Sequence, residues 1–345
     1  MKSPKAPPAS CNESGWRRNS GSRDASGISP MSDALNHGSN SPLAGRRIEV
    51  IAPSGGHLSL ADFDQARAWF ESRGAQLICE VPRSGWQRFS APDEDRLAAI
   101  HRAARRAPAV DAVMIARGGY GLSRLIDRID WPLVAESITQ GTRWVGLSDF
   151  TAFQMALLAK TGATSYAGPT FAGDFSGEGP AQFTHDQFMS LFGPGSTPVR
   201  WRFASARRAL DLQGTLWGGN LAMVTSLVGT PWLPSIDNGL LFLEDIGEHP
   251  YRVERMLHQL FHAGILGRQQ ALILGEFSGW KLAPHDRGYG FEAMLDYWRT
   301  RIDIPIVTGL PFGHGEAKAL LAVGEPYRLR IEAGFALLER LTRQR

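Results

Sequence analysis

The sequence predicts an α/β protein built around a parallel sheet covered on both faces by helices. Short runs such as Ala109-Val110-Asp111-Ala112-Val113-Met114-Ile115-Ala116 are nearly continuous in apolar residues, as strands buried on both faces must be. Helix-length segments alternate with these runs, the pattern that gives strand-helix-strand units. Loops bearing glycine follow at 53–55, 117–121 and 146–149, and the C-terminal ends of strands are where such sheets hold their sites.

Regular structure is expected to begin at Ile48-Glu49-Val50-Ile51, a strand that runs into the turn Ala52-Pro53-Ser54-Gly55. A helix over 60–73 and a strand over 75–80 follow. The next helix, 93–106, opens on acids and closes on arginines, as the helix dipole favours. A strand at 109–116 leads into Arg117-Gly118-Gly119-Tyr120-Gly121. Another at 144–146 leads into a helix over 151–160. From about 164 to 208 glycine, proline and phenylalanine interleave without a period, which reads as a crossover. Beyond it lie Gly214-Thr215-Leu216-Trp217-Gly218-Gly219-Asn220-Leu221 and a strand over 239–245. A helix over 250–260, a strand over 271–275 and a helix over 291–301 come next. The strand Ile306-Val307 then leads into Gly309-Leu310-Pro311-Phe312-Gly313-His314. The expected division is a tail over 1–45, an α/β domain over 46–165, a linker over 166–208 and a second domain over 209–345.

Residues 1–45 are rich in Ser, Pro, Gly and Asn and poor in large apolar side chains. Such a segment cannot offset the entropy of ordering, so it reads as disordered. The chain has 345 residues, 43% hydrophobic and 21% charged, which suits two ordinary domains. Its net charge is +3, but residues 1–47 alone carry +4, which leaves −1 for the rest. A nucleic-acid partner is therefore not indicated. No apolar run is long enough to cross a bilayer. Cys11 and Cys79 make no disulfide framework, and with no secretory h-region a cytoplasmic location is the expectation.

The chemistry centres on Arg143-Trp144-Val145-Gly146-Leu147-Ser148-Asp149-Phe150-Thr151. A serine on a strand-to-helix corner is lifted clear of its neighbours, beside the following N–H and a helix N-terminus, as an acyl-transfer nucleophile requires. The same position also suits a helix N-cap. Of nine histidines, His314 alone follows a strand and a glycine-bearing turn, a placement like that of Ser148. Glu244 ends an apolar strand, where a carboxylate needs a partner, either a histidine or Arg252 or Arg255. Glu248 is the rival carboxylate. The loop Arg117–Gly121 has no dinucleotide-binding spacing. No phosphate-binding loop or zinc-ligand spacing occurs, so no metal or cofactor is expected.

These segments, in this order, resemble the LD-carboxypeptidases, serine peptidases of the murein tetrapeptide type. The resemblance runs from about Ile48 to about Leu338. It rests on the segments at 51–55, 117–125, 146–151, 214–221, 229–232, 243–252 and 309–314. It implies a flavodoxin-like N-terminal domain, a C-terminal swivelling β/β/α domain and a homodimer. It further implies Ser148 as nucleophile, His314 as base and Glu244 as its orienting carboxylate. The backbone N–H groups of Asp149 and Gly119 would form the oxyanion hole. Arg117, Tyr120, Trp217 and Asn220 would contact the murein peptide, with Arg117 alternatively a structural ion pair. The resemblance departs at Thr170 and Ala322, both expected near the site. The alternative readings are a microcin-immunity peptidase of the same superfamily and a non-catalytic peptide-binding relative.

Overall fold

The structure is a computed structural model that describes residues 41–341 apart from 57–58, 83, 194 and 204–208. The expected disorder of residues 1–40, with Cys11, lies outside the described residues. Residues 41–45, expected as tail, instead form a turn in which Leu43 is buried and the Gly45 N–H donates to Gly74.

The first sheet contains β1 (Arg47–Ile51), β2 (Gln76–Cys79), β3 (Ala112–Ile115), β4 (Arg143–Gly146) and β5 (Ser165–Ala167). These five are parallel in the order 2-1-3-4-5, the flavodoxin-like order, with the chain reversing direction of winding at β1 and β3. One face is covered by α1 (Leu60–Glu71), whose Phe63, Ala66 and Phe70 pack with Phe171, Phe175 and Phe188. The other is covered by α2 (Asp93–Arg105), α3 (Trp131–Thr139) and α4 (Phe150–Thr161). In α4 every residue from Phe150 to Leu157 is buried, so the helix has no solvent face to define a stripe.

The stretch expected to be irregular holds β5, α5 (Phe171–Asp174), α6 (Gln182–Met189) and β6 (Val199–Arg202). Elements this short do not repeat often enough to show a period. The second sheet combines β6 with β7 (Leu210–Asn220), β8 (Leu240–Ile246), β9 (Ala271–Ser278) and β10 (Ile306–Thr308). Helices α7 (Leu221–Ser226), α8 (Pro250–His262) and α9 (Phe291–Arg301) connect or cover these strands. The chain then adds β11 (Leu321–Val323), β12 (Pro326–Glu332) and β13 (Phe335–Arg340). Strands β7 to β10 are parallel neighbours, whereas β12, β13 and β6 extend the sheet antiparallel.

Strand β11 does not join its sequence neighbours. It pairs antiparallel with β5 and closes the edge of the first sheet. One continuous apolar core runs from Trp144, Phe150 and Phe153 to Leu216, Trp217, Phe242 and Leu274 of the second sheet. Full burial of each such side chain stabilises by about 1.5–3 kcal/mol. The strand ends of the two sheets are thereby held in a fixed relation.

Candidate active site

The three loops read from the sequence converge. The buried Asp149 carboxylate accepts from Ser54 Oγ at 2.6 Å and from the Leu122 N–H at 2.9 Å. Arg96, its side chain fully buried, donates to the carbonyls of Pro53 and Gly121 and to Asp93 Oδ1. Burial pushes the Asp149 carboxyl above the usual carboxylate range, against the lowering effect of Ser54, Leu122 and Arg96. Thus two side chains fasten the ends of β1, β3 and β4 to one another.

Ser148 sits at the corner between β4 and α4 with φ +65, a left-handed conformation rare for a residue with a Cβ. Such strain persists only where the surroundings enforce it. An N-cap residue adopts an extended conformation and accepts a helix N–H on its side chain. Ser148 does neither, and the residue at the cap position is Asp149. The cap reading of Ser148 is therefore incorrect. Gly118 lies against this corner, where an added Cβ would stand 2.6 Å from Ser148 Cβ and 2.9 Å from Oγ. Only glycine allows the loop this close.

Glu244 lies at the end of β8, fully buried, and its Oε2 is 2.7 Å from His314 Nδ1. Neither Arg252 nor Arg255 is its partner; Arg252 pairs with Glu248 at 3.7 Å. Register places Asn220 of β7 directly opposite Glu244, and Asn220 Nδ2 donates to Glu244 Oε1 at 3.3 Å and Asp245 Oδ1 at 3.0 Å. Burial alone would lower the His314 pKa. The hydrogen bond and charge of Glu244, with Asp245 behind it and Lys318 opposing, raise it above the ordinary value. Asp245 is itself pushed up to about 6, chiefly by burial.

A cavity of about 550 Å³ brings these groups together. Ser148, His314, Arg117, Gly118 and Gly119 line it, with Thr170, Asp174 and Lys318 on one wall. Among the described residues no hydrogen bond joins Ser148 to His314, although both line the cavity. With Nδ1 of His314 held by Glu244, Nε2 is the nitrogen left for proton transfer. A strained serine, an oriented imidazole and adjacent backbone amides can carry out acyl transfer. Among the described residues no group of three or more His, Cys, Asp or Glu is placed to hold a metal ion.

Residues 48–168 match the family model of the LD-carboxypeptidase N-terminal domain, and residues 213–329 match that of the LD-carboxypeptidase C-terminal domain. The chain belongs to the LD-carboxypeptidase family. It is accordingly a serine-type carboxypeptidase. A muramoyltetrapeptide carboxypeptidase from Oxalobacter formigenes is 44% identical, with a TM-score of 0.79 covering 86% of this chain and 99% of that one. The murein tetrapeptide carboxypeptidase of Pseudomonas aeruginosa is 28% identical over 234 residues, 64% of this chain and 73% of its own. The microcin C7 self-immunity protein of Escherichia coli is 23% identical over 246 residues, 63% of this chain and 70% of its own.

In this LD-carboxypeptidase several expected contacts lie elsewhere. Trp217 is fully buried in the core of the second sheet and donates to Gln269 Oε1 at 2.9 Å. Its strand lies between β8 and β12, so its ring is walled in by the sheet's own covering layer. Asn220 does not line the cavity but holds Glu244. Tyr120 is 43% exposed beside Phe89 and Arg88, away from the cavity lining. Thr170 does line the cavity, whereas Ala322 lies within β11.

Sequence reasoning missed the side chains of Arg96, Asp149, Thr151, Asp174, Asp245 and Lys318. Thr151 Oγ1 accepts the Asn220 N–H at 3.0 Å, joining the helix of Ser148 to the strand beside Glu244. An added Cβ on Gly219 would stand 2.5 Å from that oxygen, which accounts for the glycine. The signal was present in two acids: each follows a site residue immediately, in Ser148-Asp149 and Glu244-Asp245.

Proposed function

We propose that this carboxypeptidase removes the terminal D-alanine from murein tetrapeptide, at the bond to the L-centre of meso-diaminopimelate, in cell-wall recycling. The observation that carries the reading is His314, held by the buried Glu244, lining the same cavity as the strained Ser148. Ser148 Oγ attacks the scissile carbonyl while His314 Nε2 takes its proton. The N–H groups of Asp149 and Gly119 hold the oxyanion. Collapse of the intermediate breaks the C–N bond, and His314 returns the proton to the departing amine of D-alanine. Water, deprotonated by the same imidazole, then hydrolyses the acyl-enzyme. Glu244 fixes the ring and stabilises the imidazolium. Arg117 takes the terminal carboxylate of the substrate, which a guanidinium can bind through two parallel hydrogen bonds.

Names borne by relatives support the substrate class, as do the cation and the amides in one cavity. The reading places the enzyme in the cytoplasm, as a homodimer, acting on peptide without metal or cofactor. Mass spectrometry of products from tetrapeptide and pentapeptide tests the activity. Release of D-alanine from the tetrapeptide alone is expected, because one further residue displaces the terminal carboxylate from Arg117. Equal turnover of both peptides overturns the exopeptidase reading. Hydrolysis of an aminoacyl-nucleotide conjugate in place of the tetrapeptide assigns the chain to the immunity-type chemistry.

A further inference from the structure

Strand β4 begins at Arg143 and ends at Gly146, just before Ser148. At its first residue, away from the serine, lies a separate cavity of about 420 Å³. Its lining draws on Arg143 of β4, Tyr166 of β5, Tyr327 of β12 and Arg340 of β13, with Leu191 and Leu320 as apolar surface. The cavity therefore lies at the seam where the two sheets meet. None of its lining residues lines the cavity of Ser148 and His314.

The charged side chains of this lining are Arg143, Arg340 and Glu325. Two of them answer each other. Arg340 Nη2 is 3.7 Å from Glu325 Oε2, and Glu325 Oε1 also accepts from Thr164 Oγ1 at 2.7 Å. Arg143 has no such counterpart. Its backbone N–H donates to the Asp111 carbonyl, but among the described residues its half-buried guanidinium makes no hydrogen bond or ion pair. A cation partly withdrawn from water calls for a partner. The tyrosine hydroxyls are donors as well. Tyr327 Oη accepts the Ala322 N–H at 3.0 Å and Tyr166 Oη accepts from Arg340 Nη1 at 3.5 Å, so each keeps its own proton for an acceptor. The unmatched charge of the cavity is thus one positive charge, with hydroxyl donors in the same lining.

A guanidinium presents its donors in a planar fork that fits two oxygens of a carboxylate or phosphate. The space exceeds what an inorganic ion fills, since organic ligands occupy pockets of about 300–1,000 Å³. We propose that this cavity binds a small organic anion, its carboxylate or phosphate on Arg143 and the tyrosine hydroxyls and its apolar body against Leu191 and Leu320. Such a ligand touches strands of both sheets while leaving the catalytic cleft open. The inference stands independently of the proposed tetrapeptide activity.

The test is titration calorimetry of the full chain with phenyl phosphate, benzoate and benzyl alcohol, three probes that share a ring and differ in the group it carries. The parent is expected to bind one equivalent of phenyl phosphate or benzoate, and no benzyl alcohol. Binding of phenyl phosphate alone assigns the site to phosphate esters, and binding of benzoate alone assigns it to carboxylates. Arg143→Gln is expected to raise the dissociation constant at least about tenfold, the loss of one charge-assisted pair. Arg143→Lys, which keeps the charge without the fork, is expected to fall between the two. Tyr166→Phe, which leaves Arg143 in place, is expected to weaken binding severalfold. Arg117→Gln, in the catalytic cleft, is expected to leave the affinity as it is. A parent that binds neither anion overturns the site. So does anion binding that survives in Arg143→Gln, or that is lost in Arg117→Gln, because the anion then sits elsewhere.

Discussion

His314 Nδ1 stands 2.7 Å from Glu244 Oε2, and that carboxylate has no exposed surface. A buried carboxylate with one imidazole and one amide as partners holds the ring in a single tautomer and orientation. Glu244 is therefore expected to act through His314 and not on substrate. Replacing Glu244 by Ala is expected to lower kcat by about 10⁴, against about 10⁶ for His314→Ala or Ser148→Ala, the scale found when serine triads lose one member. The double variant Ser148→Ala/His314→Ala is expected to be no worse than either single one. Steady-state kinetics on tetrapeptide check this, and losses that multiply would show that the groups do not act as a unit.

The pH dependence follows from the same pair. Proton transfer needs neutral His314, and Glu244 raises the pKa of the ring. The acid limb of kcat/KM is therefore expected above the ordinary histidine value of about 6.5. Glu244→Gln removes the charge and moves that limb down. Stability has the opposite sense: a raised folded-state pKa contributes stability below the unfolded value and loses it as pH rises through the folded one. Urea melts of parent and Glu244→Gln between about pH 5 and 8 should thus differ most at the acid end. An acid limb that stays in place in Glu244→Gln would break the link between the two residues.

Ser148 offers a test through its backbone. At φ +65 a Cβ is strained, and Ala carries the same strain as Ser. Ser148→Gly relieves it. Both variants are expected to be inactive, but the glycine variant should be the more stable by about 1 kcal/mol. Equal melting of the two would mean that the serine does not occupy the left-handed region in solution.

How far the sequence could be read depended on range. Strand β3 was legible because its apolar run is local and nearly uninterrupted, and helix α9 because Met294, Leu295 and Trp298 recur at helical spacing. The alternation in Tyr327-Arg328-Leu329-Arg330-Ile331-Glu332 equally marks a strand, and Asp130 before Trp131-Pro132 marks a helix start. Strand β11 is another matter. Three residues that leave their own neighbours to close a distant sheet carry no local sign. At the candidate site, the strand-end positions of Ser148, Glu244 and His314 were legible. Trp217 and Asn220 were not, because their environments depend on the pairing of β7 with β8, which only the tertiary structure sets.

Gly118 bears on the geometry of the nucleophile. An Ala there places its Cβ within 3 Å of both Ser148 Cβ and Oγ, so the serine must shift. A displacement of about 1 Å at a reacting atom costs on the order of 10²-fold in rate. Gly118→Ala is expected to lose that much in kcat, with a melting temperature near that of the parent. Retained kcat would place the reacting oxygen elsewhere.

Asn220 separates a positioning role from direct contact with substrate. Its side-chain oxygen caps α7 by accepting the Met223 N–H, while its Nδ2 bridges Glu244 and Asp245. Serine keeps capping ability but cannot span the two carboxylates. In Asn220→Ser, Glu244 Oε1 and Asp245 Oδ1 each lose a donor inside the protein, which costs about 1–3 kcal/mol of stability. With Glu244 less firmly held, kcat is expected to fall by one to two orders of magnitude, roughly the effect of loosening the orienting partner of a catalytic group. KM is expected to change little, because Asn220 does not line the cavity. The acid limb should also move, since the charge that sets the His314 pKa is repositioned. A rise in KM with kcat and the acid limb unchanged would instead make Asn220 a substrate contact.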